Sequence, residues 1–262
     1  MWHPIRSWRR RRALTAADTS MEAWRSAWSR LPLLEGLTAG EGARLRELAA
    51  LFLAEKALEP TRGLEVQPWM SQALALQAAL PVLELGLDWY RGWFAVVLYP
   101  DTFISEFETE DEAGVVHRVR EERSGEAWDH GPLVLSWADV EAGTRPDGYN
   151  VVIHELAHKL DALNGAVNGM PPMHRDMSPG AWSQAFQGAY DELSGRVAAG
   201  ADTLIDPYAA ESPAEFFAVV SEAFFEIPGD LRREYPSVYE QLRRFYRQDP
   251  LARLGAVPPA RA

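Results

Sequence analysis

Residues 151–161 read VVIHELAHKLD and contain the pattern H-E-x-x-H, which begins at His154 and ends at His158. Residues four apart on a helix lie on the same face, so the two imidazoles can bind one metal ion. The intervening Glu155 is then placed to take a proton from a water molecule. The pattern is typical of zinc-dependent peptidases and predicts one Zn²⁺ per chain.

The residues around this pattern have the spacing of an amphipathic helix. Val152, Leu156 and Leu160 fall opposite the two histidines, where they can pack into a core. The alternative interpretation is a helix whose solvent-exposed face carries two histidines by chance, because a five-residue motif has low specificity.

The overall composition is that of a globular protein with a sizeable core. The chain has 262 residues, of which 47% are hydrophobic and 24% are charged. Its net charge of −12 argues against a direct nucleic-acid partner. The chain has no cysteine, which excludes disulfides, thiolate-ligated zinc and a cysteine nucleophile, and is consistent with a cytoplasmic location.

The chain begins with a basic segment, with five arginines between Arg6 and Arg12. A secretory signal would require an apolar stretch next, but the stretch at residues 13–18 is too short and too polar for that. No apolar run in the sequence is long enough to span a membrane. We expect residues 1–20 to be a basic flexible tail, although weak attraction to an acidic surface is an alternative. Residues 21–255 are predicted to form a single catalytic domain with an N-terminal helical part, and residues 256–262 a frayed C-terminus.

The periodicity of the remaining chain predicts an α+β fold that is mainly helical. Residue patterns favour strands only before the motif helix, so the sheet is expected to be small. The predicted strands are 93–99, 115–119 and 133–137, and a further short strand is expected to end near Val66. The predicted helices are 21–30, 40–58, 71–85 with a break near Pro81, 181–199, 213–225 and 237–246.

A catalytic zinc usually has three protein ligands, so a third ligand must be found. One known variant places it six residues after the second histidine, but Asn164 occupies that position. The best candidate is Glu215, with Glu222 two turns further along the same helix in reserve. Glu211, which precedes that helix, is a weaker reserve.

Each of these residues also has a purely structural interpretation. Ser212, Pro213 and Glu215 have the spacing of a helix capping box, which competes with metal binding as the role of Glu215. Tyr208 could donate a hydrogen bond to the oxyanion of a peptide under attack, or could simply pack against the core. Asp161 could accept a hydrogen bond from a ligand imidazole, or could be exposed.

Several longer motifs resemble one known family. They are GLDWY at 86–90, YPDTF at 99–103, GPLVLSW at 131–137, HELAHKLD at 154–161, YAA at 208–210, PAEFFAVVSE at 213–222 and FYRQDPL at 245–251. Their order resembles that of the Mlc titration factor A family over about residues 20–255. The arginine-rich start departs from the family pattern.

The resemblance implies a zincin-type metallopeptidase domain. The family is known as cytosolic zinc peptidases with aminopeptidase-type activity, and one member binds Mlc, a repressor of glucose-uptake genes. Its catalytic core is similar to the protease domain of anthrax lethal factor, where a tyrosine precedes the glutamate ligand by seven residues. The resemblance thus implies that Glu215 is a zinc ligand and that Tyr208 is catalytic.

The expected partners are therefore a peptide or protein substrate and a transcriptional repressor of the Mlc type. One alternative is a regulatory protein that sequesters such a repressor, with zinc structural or vestigial. Glu155 argues against this alternative, because a structural zinc site needs no base. A zinc hydrolase acting on another amide is a further alternative.

Overall fold

The structure, a computed structural model, describes residues 21–110, 116–127 and 131–255. The predicted tail at 1–20 and the predicted frayed end at 256–262 lie outside the described residues. The division of the chain into these segments and one catalytic domain therefore remains a prediction.

Helices make up most of the described chain. Six of them (α3 and α6 to α10) have proline in the first turn, where its missing N–H group costs no hydrogen bond. In chain order the helices are α1 Met21–Trp28, α2 Ala39–Glu55, α3 Pro68–Ala79, α4 Trp137–Ala142, α5 Val151–Asp161, α6 Pro179–Ala198, α7 Pro213–Glu226, α8 Pro228–Glu234, α9 Pro236–Tyr246 and α10 Pro250–Gly255.

In the part of the chain that the structure describes, the strands all precede α5, as predicted, and most belong to one small sheet. The strands are β1 Ala57–Pro60, β2 Ala95–Tyr99, β3 Phe103–Glu110, β4 Val116–Arg123, β5 Gly125–Ala127 and β6 Leu133–Ser136. The four-stranded sheet has the order β1-β2-β6-β5, and β3 pairs with β4 in a separate antiparallel ribbon. The predicted α+β, mainly helical fold with a small sheet before the motif helix is confirmed.

The strand β5 is an edge strand of this sheet and lies against α5. It pairs antiparallel with β6, whereas β1, β2 and β6 run parallel to one another. The short strand was not predicted, because three residues that include a glycine carry too little periodicity to be recognised. Its position beside the motif helix makes it part of the candidate site.

Two boundaries differ from the sequence prediction near the first strand. The predicted helix 40–58 ends at Glu55, and no strand ends near Val66 in the described chain. The N–H group of Ala57 donates to the carbonyl of Phe94 at 2.8 Å, which draws residues 57–60 into the sheet. A long-range backbone pairing thus overrides the local helical pattern.

The motif helix α5 is buried rather than lying on the surface. Val152, Leu156 and Leu160 are fully buried, as the amphipathic pattern predicted. The side chains of His154 and His158 are also only 13% exposed. This burial does not fit the alternative of a solvent-facing helix with two incidental histidines. None of the helices in the described segments combines the length and the hydrophobicity that a membrane span requires.

Candidate metal centre

The N-terminus of α5 is held by Asn150, which is fully buried. The Asn150 Oδ1 atom accepts a hydrogen bond from the N–H group of Ile153 at 3.0 Å, which is a standard N-cap. One helical turn separates His154 from His158, so their rings are adjacent, with centroids 4.9 Å apart. The cap and the buried apolar face together fix the direction in which both imidazoles point.

The helix α7 brings Glu215 to the same place. The Oγ atom of Ser212 accepts a hydrogen bond from the N–H group of Glu215 at 3.1 Å and so caps α7. The side chain of Glu215, in contrast, points to the two histidines. Capping by Ser212 and placement of Glu215 at the histidines therefore coexist, because the cap uses only the backbone of Glu215.

Three side-chain atoms from α5 and α7 converge on one point. The Nε2 atom of His154 lies 3.0 Å from Oε2 of Glu215, and Nε2 of His158 lies 3.3 Å from the same oxygen. The two Nε2 atoms are 3.2 Å apart. Among the described residues these three form the only group of histidine, aspartate and glutamate side chains suited to hold a metal ion.

The size of this triangle fits a zinc ion. Ligand atoms placed tetrahedrally about 2.0–2.1 Å from zinc lie about 3.3–3.4 Å apart. The observed separations of 3.0, 3.2 and 3.3 Å are close to that value. A set of two imidazoles and one carboxylate is also the ligand set of catalytic rather than structural zinc, since it leaves one position for water.

The reserve candidate Glu222 occupies a different position, behind His154. The Nδ1 atom of His154 donates to Oε1 of Glu222 at 2.7 Å, and the N–H group of Asn150 donates to its Oε2 at 2.5 Å. A carboxylate in this position orients a ligand imidazole and increases its basicity. Glu222 is therefore a partner of a candidate ligand, and the weaker reserve Glu211 is not in the converging group.

Asp161 is buried, which rules out the exposed alternative. Its Oδ2 atom accepts a hydrogen bond from the N–H group of Gly169 at 2.6 Å. Its Oδ1 atom and Nδ1 of His158 are both buried without a hydrogen-bond partner among residues 21–110, 116–127 and 131–255. Asp161 lies three residues after His158 on α5, so a donor and an acceptor that each lack a partner are on the same helix face.

The electrostatics of the cluster favour a cation. Burial opposes the charged form of His154, but the carboxylates of Glu222 and Glu215 outweigh it and raise the pKa of His154 well above its usual value. Burial likewise opposes ionisation of Glu215, yet hydrogen bonds from the two histidines lower its pKa. The negative potential that holds a proton on His154 also attracts a divalent cation, whose binding displaces that proton.

Glu155 lies beside the cluster and is 6% exposed. Burial raises the pKa of Glu155, although the nearby His154 and His158 act in the opposite direction. Its side chain contacts β5 at Gly125, where it leaves no room for a β-carbon. The carboxyl group is therefore confined between the metal cluster and the end strand of the sheet.

Tyr208 lies on the other side of His154, in the 3₁₀ turn Pro207–Ala210. Its ring centroid is 6.0 Å from that of His154, and the residue is 49% exposed. Half of this side chain is thus accessible to a bound substrate, which does not fit the alternative of a residue packed against the core. The turn is held by Asp206, whose side chain accepts from the N–H group of Tyr208 at 2.9 Å.

Comparison with known proteins agrees with this geometry. The family model described as glucose-regulated metallo-peptidase M90 matches residues 5–247. The chain belongs to this family. The match begins at residue 5, so it reaches further towards the N-terminus than the resemblance expected from about residue 20.

Several relatives are similar over most of their length. A protein of Yersinia enterocolitica named Mlc titration factor A is 43% identical over 235 residues, covering 88% of this chain and 87% of that relative. Proteins of the same name from Yersinia pestis and Yersinia pseudotuberculosis are 43% identical over 237 residues and are covered to 86%. The predicted family resemblance is confirmed.

Two residues near the metal cluster were missed by sequence reasoning. Asn150 precedes the motif helix and is a residue type favoured at N-caps, which was a usable signal. Gly125 lies in a strand too short to predict, so its contact with Glu155 had no sequence signal.

Proposed function

We propose that this metallopeptidase-family protein is a zinc-dependent peptidase of the aminopeptidase type, with one Zn²⁺ held by His154, His158 and Glu215. The observation that carries the proposal is the convergence of three ligand atoms, separated by 3.0–3.3 Å, beside a buried Glu155. The proposed location is the cytoplasm.

The chemistry follows from the roles of the side chains. When bound, zinc acts as a Lewis acid that makes water more acidic and polarises a carbonyl. Glu155 takes the proton from the attacking water and passes it to the leaving amine. Tyr208 donates a hydrogen bond to the carbonyl oxygen as negative charge develops on it. Glu222 keeps the His154 ring in the tautomer that leaves Nε2 free to bind the ion.

The substrate backbone is proposed to lie along β5. This strand is the edge strand of the sheet next to α5. Its residues 125–127 pair with β6 on one side, and no other described strand pairs with its other side. An extended peptide can add to such a strand through main-chain hydrogen bonds, which places a peptide carbonyl near the cluster independently of its sequence.

Replacing Glu155 tests the proposed base directly. Glu155→Gln removes the base but no metal ligand, so the variant should retain one zinc per chain and lose peptidase activity by about 10²–10⁴-fold. His154→Ala should lose both zinc and activity. Metal analysis and peptide cleavage are measured on the same samples, and full activity of Glu155→Gln would contradict the proposal.

The aminopeptidase assignment needs a separate test with matched peptides. Each peptide of a library is offered with a free and with an acetylated N-terminus. Cleavage confined to free N-termini would support an aminopeptidase, and equal cleavage of both would indicate an endopeptidase. Cleavage of small amides but of no peptide would favour a non-peptidase hydrolase instead.

A second proposed role is binding of a transcriptional repressor of the Mlc type. It is supported by the name of the relatives that are 43% identical to this chain. Calorimetric titration with such a repressor would test it, using the wild type and Glu155→Gln. Binding by both proteins together with no detectable peptidase activity in the wild type would favour the regulatory alternative, in which zinc is structural. Absence of binding would contradict the partnership.

A further inference from the structure

Gly125, at the start of β5, lies unusually close to the candidate base. A β-carbon on Gly125 would lie 2.5 Å from Oε1 and 2.7 Å from Cγ of Glu155, and 2.8 Å from Cγ2 of Val151. Non-bonded carbon atoms normally approach to about 3.5–4.0 Å. Any residue other than glycine would therefore overlap both α5 side chains.

The backbone conformation does not explain why this residue is a glycine. Gly125 is not among the residues with a positive φ, so other residue types can adopt its backbone angles. Glycine also weakens a strand, because it has more freedom to lose and no side chain to pack. The close approach of α5 is the remaining physical reason for glycine at this position.

Neither the backbone of β5 nor that of α5 can easily move to make room for a side chain at Gly125. Gly125 is paired with the fully buried Leu135 of β6, and the N–H group of Ser136 donates to the carbonyl of Ser124 at 2.8 Å. On the other side, Val152 and Leu156 anchor α5 in the core. The atoms that can move are those of the Glu155 and Val151 side chains. Because Glu155 would be overlapped at Cγ as well as at Oε1, its whole side chain would have to rotate.

We propose that Gly125 is a positioning residue, whose missing side chain creates the space in which the Glu155 carboxylate faces the metal cluster. The contact itself rests only on the structure. Its consequence for catalysis rests on the proposed function, in which Glu155 is the base.

The contact is tested by a double-mutant cycle on the full chain, without reference to activity. Gly125→Ala should lower the folding equilibrium constant by at least about tenfold, as expected for overpacking. The Glu155→Ala background removes Cγ and the carboxylate. There, the factor by which Gly125→Ala lowers the folding equilibrium constant should be at least about threefold smaller. Urea unfolding with excess zinc measures all four proteins, and Gly188→Ala in α6, where a β-carbon meets nothing within 4 Å, is the control.

The catalytic consequence is tested by kinetics and metal content together. Gly125→Ala should keep one zinc per chain and lose roughly 10²-fold in kcat, the lower end of a general base's contribution, while KM changes by less than about threefold. Gly188→Ala should retain wild-type kcat. A change in KM alone would mean that Gly125 serves substrate contact, and would overturn the positioning role.

The remaining outcomes separate the two proposals. An equal cost of Gly125→Ala in both backgrounds, or failure to fold in both, would overturn the contact. The positioning role would be overturned by a third outcome. In it, the loss of stability caused by Gly125→Ala depends on Glu155 and Glu155→Gln is inactive, but Gly125→Ala keeps the kcat of the wild type. Coupling in stability with a fully active Glu155→Gln would keep the contact but contradict the proposed function, and with it the catalytic consequence of the contact.

Discussion

The Nδ1 atom of His154 donates a hydrogen bond of 2.7 Å to Oε1 of the buried Glu222. His154 lies on α5 and Glu222 on α7, so one hydrogen bond joins the two helices that carry the candidate ligands. The N–H group of Asn150 occupies the second carboxylate oxygen. The orientation of the imidazole is therefore set by residues outside the metal cluster.

Glu222→Gln should weaken zinc binding without removing a ligand. The amide can still hydrogen-bond Nδ1 but carries no charge, so it supports the imidazole less well. We expect about 10–100-fold lower zinc affinity, measured by competition with a chromophoric chelator. Glu240→Gln on the surface of α9, which loses only an exposed pair with Arg243, is the matched control. Equal affinity of both variants would show that Glu222 does not tune the site.

Asn150→Ala should destabilise the protein more than loss of an ordinary helix cap. Besides capping α5, the Nδ2 group of Asn150 lies 2.8 Å from Oε1 of Gln77 and 3.0 Å from both the Gly143 carbonyl and Oε1 of Glu226. Removing the amide leaves buried acceptors without a donor, so we expect a loss of about 3 kcal/mol or more in the free energy of unfolding.

Ser178→Ala is the control for that experiment, because Ser178 caps α6 at a more exposed position. It should cost about 1 kcal/mol, the usual value for a cap. Urea unfolding of both variants gives the comparison. Equal losses in the free energy of unfolding for the two variants would mean that the buried contacts of Asn150 contribute no stability beyond that of its cap.

Glu226 predicts a pH dependence of stability. Burial raises the pKa of Glu226 to about 8, against a usual value of 4.5, while the hydrogen bond from Asn150 lowers it in part. The folded state thus binds more protons than the unfolded state between these values, so stability falls as pH rises through this range. Glu226→Gln removes the titration, and the variant should gain stability relative to the wild type between pH 5 and pH 9.

Thermal unfolding of the zinc-loaded proteins across this pH range checks the prediction. Below the unfolded-state pKa of about 4.5 the carboxyl group is protonated in both states, so the variant should show no such gain there. Parallel pH profiles of the wild type and Glu226→Gln would contradict the raised pKa.

Tyr208→Phe should reduce catalysis without affecting the fold. Loss of one oxyanion donor is expected to lower kcat by about 10²–10³-fold with little change in KM. The half-exposed ring loses only its hydroxyl group, so the melting temperature should stay within about 1–2 °C of the wild type. Tyr99→Phe in β2 is the control. If Tyr208→Phe and Tyr99→Phe have equal kcat, Tyr208 has no role in the mechanism.

The sequence by itself determined the local features of this protein. The apolar spacing of Val152, Leu156 and Leu160 was enough to predict a buried α5, and the spacing of His154 and His158 was enough to place their rings side by side. The α+β class also followed from the sequence, because strand and helix patterns are periodic over a few residues and occur in separate parts of the chain.

Only the tertiary structure decided which distant side chains meet. Glu215 and Glu222 lie on the same face of α7, and sequence reasoning could rank them but could not separate their positions. The packing of α7 against α5 places Glu215 at both Nε2 atoms and Glu222 at Nδ1 of His154. The same holds for β5 and Gly125, because a contact across the fold depends on how elements pack, which no local periodicity encodes.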